Sequence, residues 1–183
     1  IAGLEVNVSC PNVESEGMAF GVDPKVVEQV TKAVRKVTDK PVIVKLSPNV
    51  TDIVEIAKAV EAGGGNGVSL INTLLGMAID IHRRKPLLGN IYGGLSGPAV
   101  KPVALRMVHQ VYKGVTIPII GLGGIMSGTD AIEFMMAGAQ AVQVGTATMV
   151  DPTAISRIAR EMGEYVEMQN LNSITDIVGA VHQ

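Results

Sequence analysis

Short apolar runs alternate with helix-period stretches along this chain, and each run ends in a polar residue or a glycine. Leu4-Glu5-Val6, Val42-Ile43-Val44, Gly67 to Thr73, Pro118 to Leu122 and Ala141 to Val144 are the runs. Between them, apolar residues recur at helical spacing, as in Val26, Val27, Val30, Ala33, Val34 and Val37. Strands rich in Val and Ile that alternate with helices form a parallel sheet covered by helices. Asn7 and Cys10, Lys45 and Ser47, Asn72 and Thr73, Gly123 and Gly124, and Gly145 and Thr146 stand at the C-terminal ends of successive strands. A (β/α)8 barrel assembles its active site at that edge. The chain is therefore read as α/β, a TIM barrel present as about five βα units. One domain, residues 1–183, forms the C-terminal part of such a barrel, with the N-terminal strands missing.

Composition narrows the function. With 15 Lys and Arg against 17 Asp and Glu, the net charge is −2, and no basic cluster appears. Nucleic acid and acidic membranes are excluded as main partners on that ground. Aromatic residues make up only 3%, so Leu, Ile, Val, Ala and Met fill the core. No apolar run approaches the ~20 residues of a membrane-spanning helix. A single cysteine permits no internal disulfide, which suits the cytoplasm. The three histidines have no zinc-ligand spacing, so no metal site is expected.

Local signals place the helices. Asp23-Pro24 starts the first, and Thr51 is expected to cap the second, which ends at Gly63-Gly64-Gly65. Leu74 to Pro98 reads as a long excursion loop, functional by its length. Ser127 and Asp130 form a capping box, Asp151-Pro152 starts another helix, and a last short helix is expected near Ile174 to Val181.

The chemistry concentrates at the strand ends. Asn7, Asn12 and Asn72 offer carboxamide donors and acceptors suited to a flat polar heterocycle. Cys10 stands where the first strand ends. A lone cysteine is more often a small buried apolar residue than a catalyst, so its weight comes from its neighbours. Gly123-Gly124 and Gly145-Thr146 end the last two strands, where many barrels bind phosphate. Glycines admit backbone N–H groups to phosphate oxygens, and a helix N-terminus behind them adds a favourable field. Lys45, beside such a site, is expected to face a cofactor ring rather than to reach for solvent.

Asn-Val-Ser-Cys-Pro-Asn, Val-Lys-Leu-Ser-Pro-Asn-Val-Thr-Asp-Ile, Ile-Asn-Thr, Gly-Gly-Leu-Ser-Gly-Pro-Ala-Val-Lys-Pro, Ile-Ile-Gly-Leu-Gly-Gly-Ile and Val-Gly-Thr together resemble dihydroorotate dehydrogenase, over essentially the whole chain and in order. Cysteine at position 10 and the stretch Gly93 to Met107 look most like the class 1B catalytic subunit. The resemblance implies that Cys10 is the base in the oxidation of dihydroorotate to orotate in pyrimidine biosynthesis, with FMN as hydride acceptor. It implies that Asn7 touches flavin and substrate. Asn12, Asn72 and Thr73 would hold the pyrimidine, Lys45, Ile71 and Gly97 the flavin, and Gly123, Gly124, Gly145 and Thr146 its phosphate. A partner subunit with FAD and a 2Fe–2S cluster would pass electrons to NAD⁺. The nearest rival family is the flavin domain of dihydropyrimidine dehydrogenase, and the rival of another kind is an inactive piece of barrel. The family's N-terminal strands also contact the flavin. This polypeptide alone is therefore expected to bind FMN weakly, to show little activity and to self-associate through its sheet edges.

Overall fold

A computed structural model describes residues 1–9 and 20–182; Cys10 and Asn12 lie outside the described residues. Five parallel strands form the main sheet: β1 (Leu4–Asn7), β2 (Val42–Lys45), β3 (Gly67–Leu70), β8 (Ile119–Leu122) and β9 (Ala141–Gln143), in the spatial order β1-β2-β3-β8-β9. The register sets Asn7 beside Lys45, Lys45 beside Ser69 and Leu122 beside Gln143. The polar strand ends therefore share one edge of the sheet.

Alternation separates the two faces. Val42 and Val44 are fully buried, whereas Ile43 and Lys45 between them are half-buried. Helices α1 (Pro24–Arg35), α2 (Ile53–Ala62), α3 (Lys101–Tyr112) and α4 (Gly128–Met136) supply the covering layer. Val27, Ile56, Val60, Val108 and Phe134 join Val42, Val44, Val68 and Ile119 in one core. Phe134 is the largest fully buried side chain, and it explains Gly121. A Cβ there would lie 2.6 Å from the Phe134 ring.

Asp23 caps α1 as expected, its side chain accepting from the Lys25 N–H. The cap of α2 is Asp52, not Thr51: its carboxylate accepts from the N–H groups of Val54 and Glu55. A carboxylate satisfies two donors at once and complements the helix dipole, so it displaces the neighbouring hydroxyl. The excursion after β3 is not a bare loop. It folds as two antiparallel pairs, β4 (Leu74–Met77) with β7 (Tyr92–Leu95) and β5 (Ile79–Asp80) with β6 (Lys85–Pro86). After β9 the chain forms a short helix α5 (Thr146–Val150) that sequence patterning did not signal, then α6 (Ala154–Met168). Asp151 thus precedes α6 rather than starting it. The last segment is two 3-10 turns, Ile174–Ile177 and Ala180–His182, instead of one helix. Among the described residues, no helix is long and apolar enough to cross a membrane, and no cluster of His, Cys, Asp and Glu could hold a metal ion.

Candidate active site

At the polar edge of the sheet lies a cavity of about 240 Å³, and Lys45, Ile71, Asn72, Thr73, Gly97, Gly123, Gly124, Gly145 and Thr146 all line it. Five separate stretches of the sequence thus meet at one place. Among the described residues, Lys45 is the only charged side chain on the wall, and no carboxylate pairs with it. A cation at an otherwise neutral wall suits an electron-rich or anionic ligand. Leu95, Leu122, Ile125 and Met149 supply apolar wall, as a flat ring requires.

Asn7 stands one strand away from this wall. Its carboxamide oxygen accepts from the Ser9 N–H at 3.1 Å and the Ser9 hydroxyl at 2.7 Å. Asn72 bridges the two regions, donating from Nδ2 to the Ser9 carbonyl at 3.1 Å. That bond ties the residue before Cys10 to the cavity wall. Among the described residues, the second Asn72 N–H and its side-chain oxygen make no further hydrogen bond.

Three residues that sequence reasoning did not assign also shape the site. Asn49 Nδ2 donates to the Thr73 carbonyl at 3.1 Å, and its Oδ1 accepts from the Leu75 N–H at 2.9 Å. Asn49 thereby pins the β3 exit. Ser96 accepts from Thr146 Oγ1 at 2.9 Å, joining the excursion to the end of β9. Gln143 lines the cavity from β9 and donates to the Glu5 carboxylate at 3.3 Å, across the face of the sheet. Asn49 was visible as the Asn of Ser-Pro-Asn; Gln143 carried no signal beyond strand alternation.

The glycine turns close the cavity through backbone contact. Gly124 has φ +76, and a Cβ on it would sit 2.7 Å from the Gly97 carbonyl oxygen and 2.9 Å from the Lys101 nitrogen. Glycine is required there by conformation and by space. The helix behind the turn, however, does not offer its donors. The Asp130 carboxylate accepts from the N–H groups of Met126 and Ser127, both at 2.9 Å, and Glu161 accepts from that of Gly128. The expected field from the α4 N-terminus is therefore spent on two carboxylates. Among the described residues, the Gly123–Ile125 turn and Gly145-Thr146, where α5 begins with no side-chain cap, carry the cavity's backbone donors that no other backbone group accepts from.

Lys101 anchors this turn from α3, with Nζ 2.6 Å from Asp130 and 2.8 Å from Glu133. Hydrogen bonding to Asp130 and then Glu133 raises the Lys101 pKa above its ordinary value. Burial pushes the Asp130 carboxyl up, but the bonds from Lys101, the Met126 N–H and the Ser127 hydroxyl outweigh it and hold the pKa below the usual carboxylate value. A depressed carboxyl stabilises the fold above its unfolded pKa, and that contribution is lost as pH falls through the folded one. We expect wild-type protein to lose thermal stability on acidification below about pH 4. Asp130→Asn should melt lower at pH 7 and respond less to acid. A melting series from pH 7 to 3 checks this; parallel curves for the two proteins would contradict it.

A partial (β/α) barrel, with a largely apolar cavity edged by a few polar groups at the C-terminal ends of its strands, is thus the class of protein that fold and site define. The family model described as dihydroorotate dehydrogenase matches residues 2–166, and the chain belongs to that family. Three relatives carry the name "Dihydroorotate dehydrogenase B (NAD(+)), catalytic subunit". That of Desulforamulus reducens is 63% identical over 182 residues, covering 100% of this chain and 60% of the relative. That of Geobacter sp. strain M21 is 60% identical over 181 residues (99% and 59%), and that of Alkaliphilus metalliredigens 59% over 178 (97% and 59%). The chain therefore spans 59–60% of the length of these relatives. A crystal structure of DHODH from Eimeria tenella in complex with ferulenol superposes with a TM-score of 0.81 at 24% identity, over 100% of this chain and 54% of that one. That likeness speaks for the fold.

Proposed function

We propose that this chain is the C-terminal part of a barrel, residues 1–183, in an enzyme that oxidises (S)-dihydroorotate to orotate for pyrimidine biosynthesis, with FMN as resident cofactor. The supporting observation is the convergence of Lys45, Ile71, Asn72, Thr73, Gly97, Gly123, Gly124, Gly145 and Thr146 on one cavity.

The donor set fits FMN. At Gly145 nothing lies within 4 Å of an added Cβ, which leaves open space beside the turn, and among the described residues no backbone group accepts from the Gly123–Ile125 N–H groups. Lys45 supplies positive charge to the ring, where reduction adds negative charge. When bound, FMN supplies the hydride acceptor for C6 of the substrate. Cys10, as thiolate, takes the proton from C5. Asn7, Asn12, Asn72 and Thr73 hold the pyrimidine by its carbonyl and N–H groups, and their donors stabilise the charge that grows on it.

The relatives' printed name, with NAD⁺ and "catalytic subunit" in it, supports NAD⁺ as final acceptor and a second, electron-transfer subunit. On this proposal that subunit carries FAD and a 2Fe–2S cluster, and the catalytic chain is a homo-oligomer.

Anaerobic addition of dihydroorotate to the FMN-loaded holoenzyme should bleach the flavin absorbance and release orotate. Bleaching by NADPH with re-oxidation by uracil, and none by dihydroorotate, would favour the dihydropyrimidine dehydrogenase-like alternative.

A further inference from the structure

We propose that Arg157, on α6, is a positioning residue for the turn that follows β8, and that it sets affinity for the phosphate end of the cofactor. The inference rests on the FMN reading above. An Arg and a Glu four apart on a helix usually form a solvated surface pair that contributes little. Here the guanidinium also reaches off its own helix. Nη2 donates to the Met126 carbonyl at 3.1 Å, Nη1 to Glu161 at 3.0 Å and Nε to Asp151 at 3.4 Å. Glu161 in turn accepts from the Gly128 N–H with its other oxygen.

Arg157 and Glu161 therefore brace one turn from both sides, by a carbonyl and by an N–H. Met126 lines the cavity, two residues after Gly124. Ala154 and Ile158 are buried in the main core, which fixes the α6 face that presents the guanidinium. The planar fork makes bonds in several directions at once, which an ammonium cannot do in the same geometry. With Asp130 and Glu161 taking the N–H groups of Met126, Ser127 and Gly128, the Gly123–Ile125 donors have to be aimed by the shape of the turn itself. Arg157 holds that shape.

The test compares FMN with riboflavin, which lacks the phosphate. Both are titrated into the flavin-stripped holoenzyme carrying wild type, Arg157→Met, Arg157→Lys or Glu161→Gln. Arg157→Met should raise the dissociation constant for FMN about tenfold, the size of one well-placed hydrogen bond, and leave that for riboflavin unchanged. Glu161→Gln should act in the same direction, and Arg157→Lys should restore part of the loss. Equal weakening for both flavins would mark Arg157 as a general structural support and overturn the proposal. So would no change in any variant. If wild type binds neither flavin, the FMN reading itself fails, and this inference falls with it.

Discussion

Cys10→Ala is expected to slow flavin reduction by dihydroorotate about 10²–10⁴-fold, the usual contribution of a positioned acid or base, while the enzyme keeps its FMN. The argument runs from sequence to site. Cys10 is the only cysteine, and it follows Ser9 directly. The Ser9 carbonyl is tied to Asn72, and Asn72 lines the cavity. Ser9 is thus held against a residue of the cavity wall. The glycine turns proposed for the phosphate lie on stretches of the chain more than 80 residues from the thiol in sequence, so flavin content is expected to hold. Rapid-mixing measurement of flavin bleaching separates the two effects. A wild-type rate in the alanine variant would remove the thiol from the mechanism.

Gly124→Ala is expected to empty the cofactor site and lower the melting temperature. At φ +76 a non-glycine residue costs about 1–3 kcal/mol in backbone strain. The new methyl would also press on the Gly97 carbonyl and the Lys101 nitrogen, both of them backbone atoms that cannot swing aside. The turns around Gly97 and Gly124 must part, and they are two walls of the cavity. Gly145→Ala is the informative contrast. Its φ is −112, and nothing lies within 4 Å of the added Cβ. Flavin loss there would report on the ligand rather than on the fold. Flavin content after gel filtration, together with a melt, measures both variants. Wild-type flavin content and stability in Gly124→Ala would contradict the account.

What was legible in the sequence was the part governed by neighbours along the chain. The run Val42-Ile43-Val44 put Lys45 at the end of its strand, where β2 does end, and the Ser127–Asp130 spacing marked the capping box that α4 has. What the capping box implies for a ligand was not legible. It depends on Glu161, which is 33 residues further on and takes the Gly128 donor. The hairpins of the excursion were hidden for a related reason. Gly76 pairs with Gly93 and Leu75 with Gly94, so three of these four positions have no side chain to write an alternating pattern. Asn49 looked like a turn residue, yet its partners Thr73 and Leu75 lie 24 and 26 positions away. The strand ends and their order along one edge were legible from the βα alternation, and the observed order β1-β2-β3-β8-β9 follows the chain; the bonds between distant loops were not.

The most direct test of the central claim is a crystal structure of the holoenzyme with FMN and orotate. The account predicts the phosphate on the backbone N–H groups of the Gly123–Ile125 turn and Gly145-Thr146, the Lys45 ammonium against the isoalloxazine, and the Cys10 sulfur facing orotate. A flavin bound elsewhere, with this cavity filled by side chains or solvent alone, would contradict it.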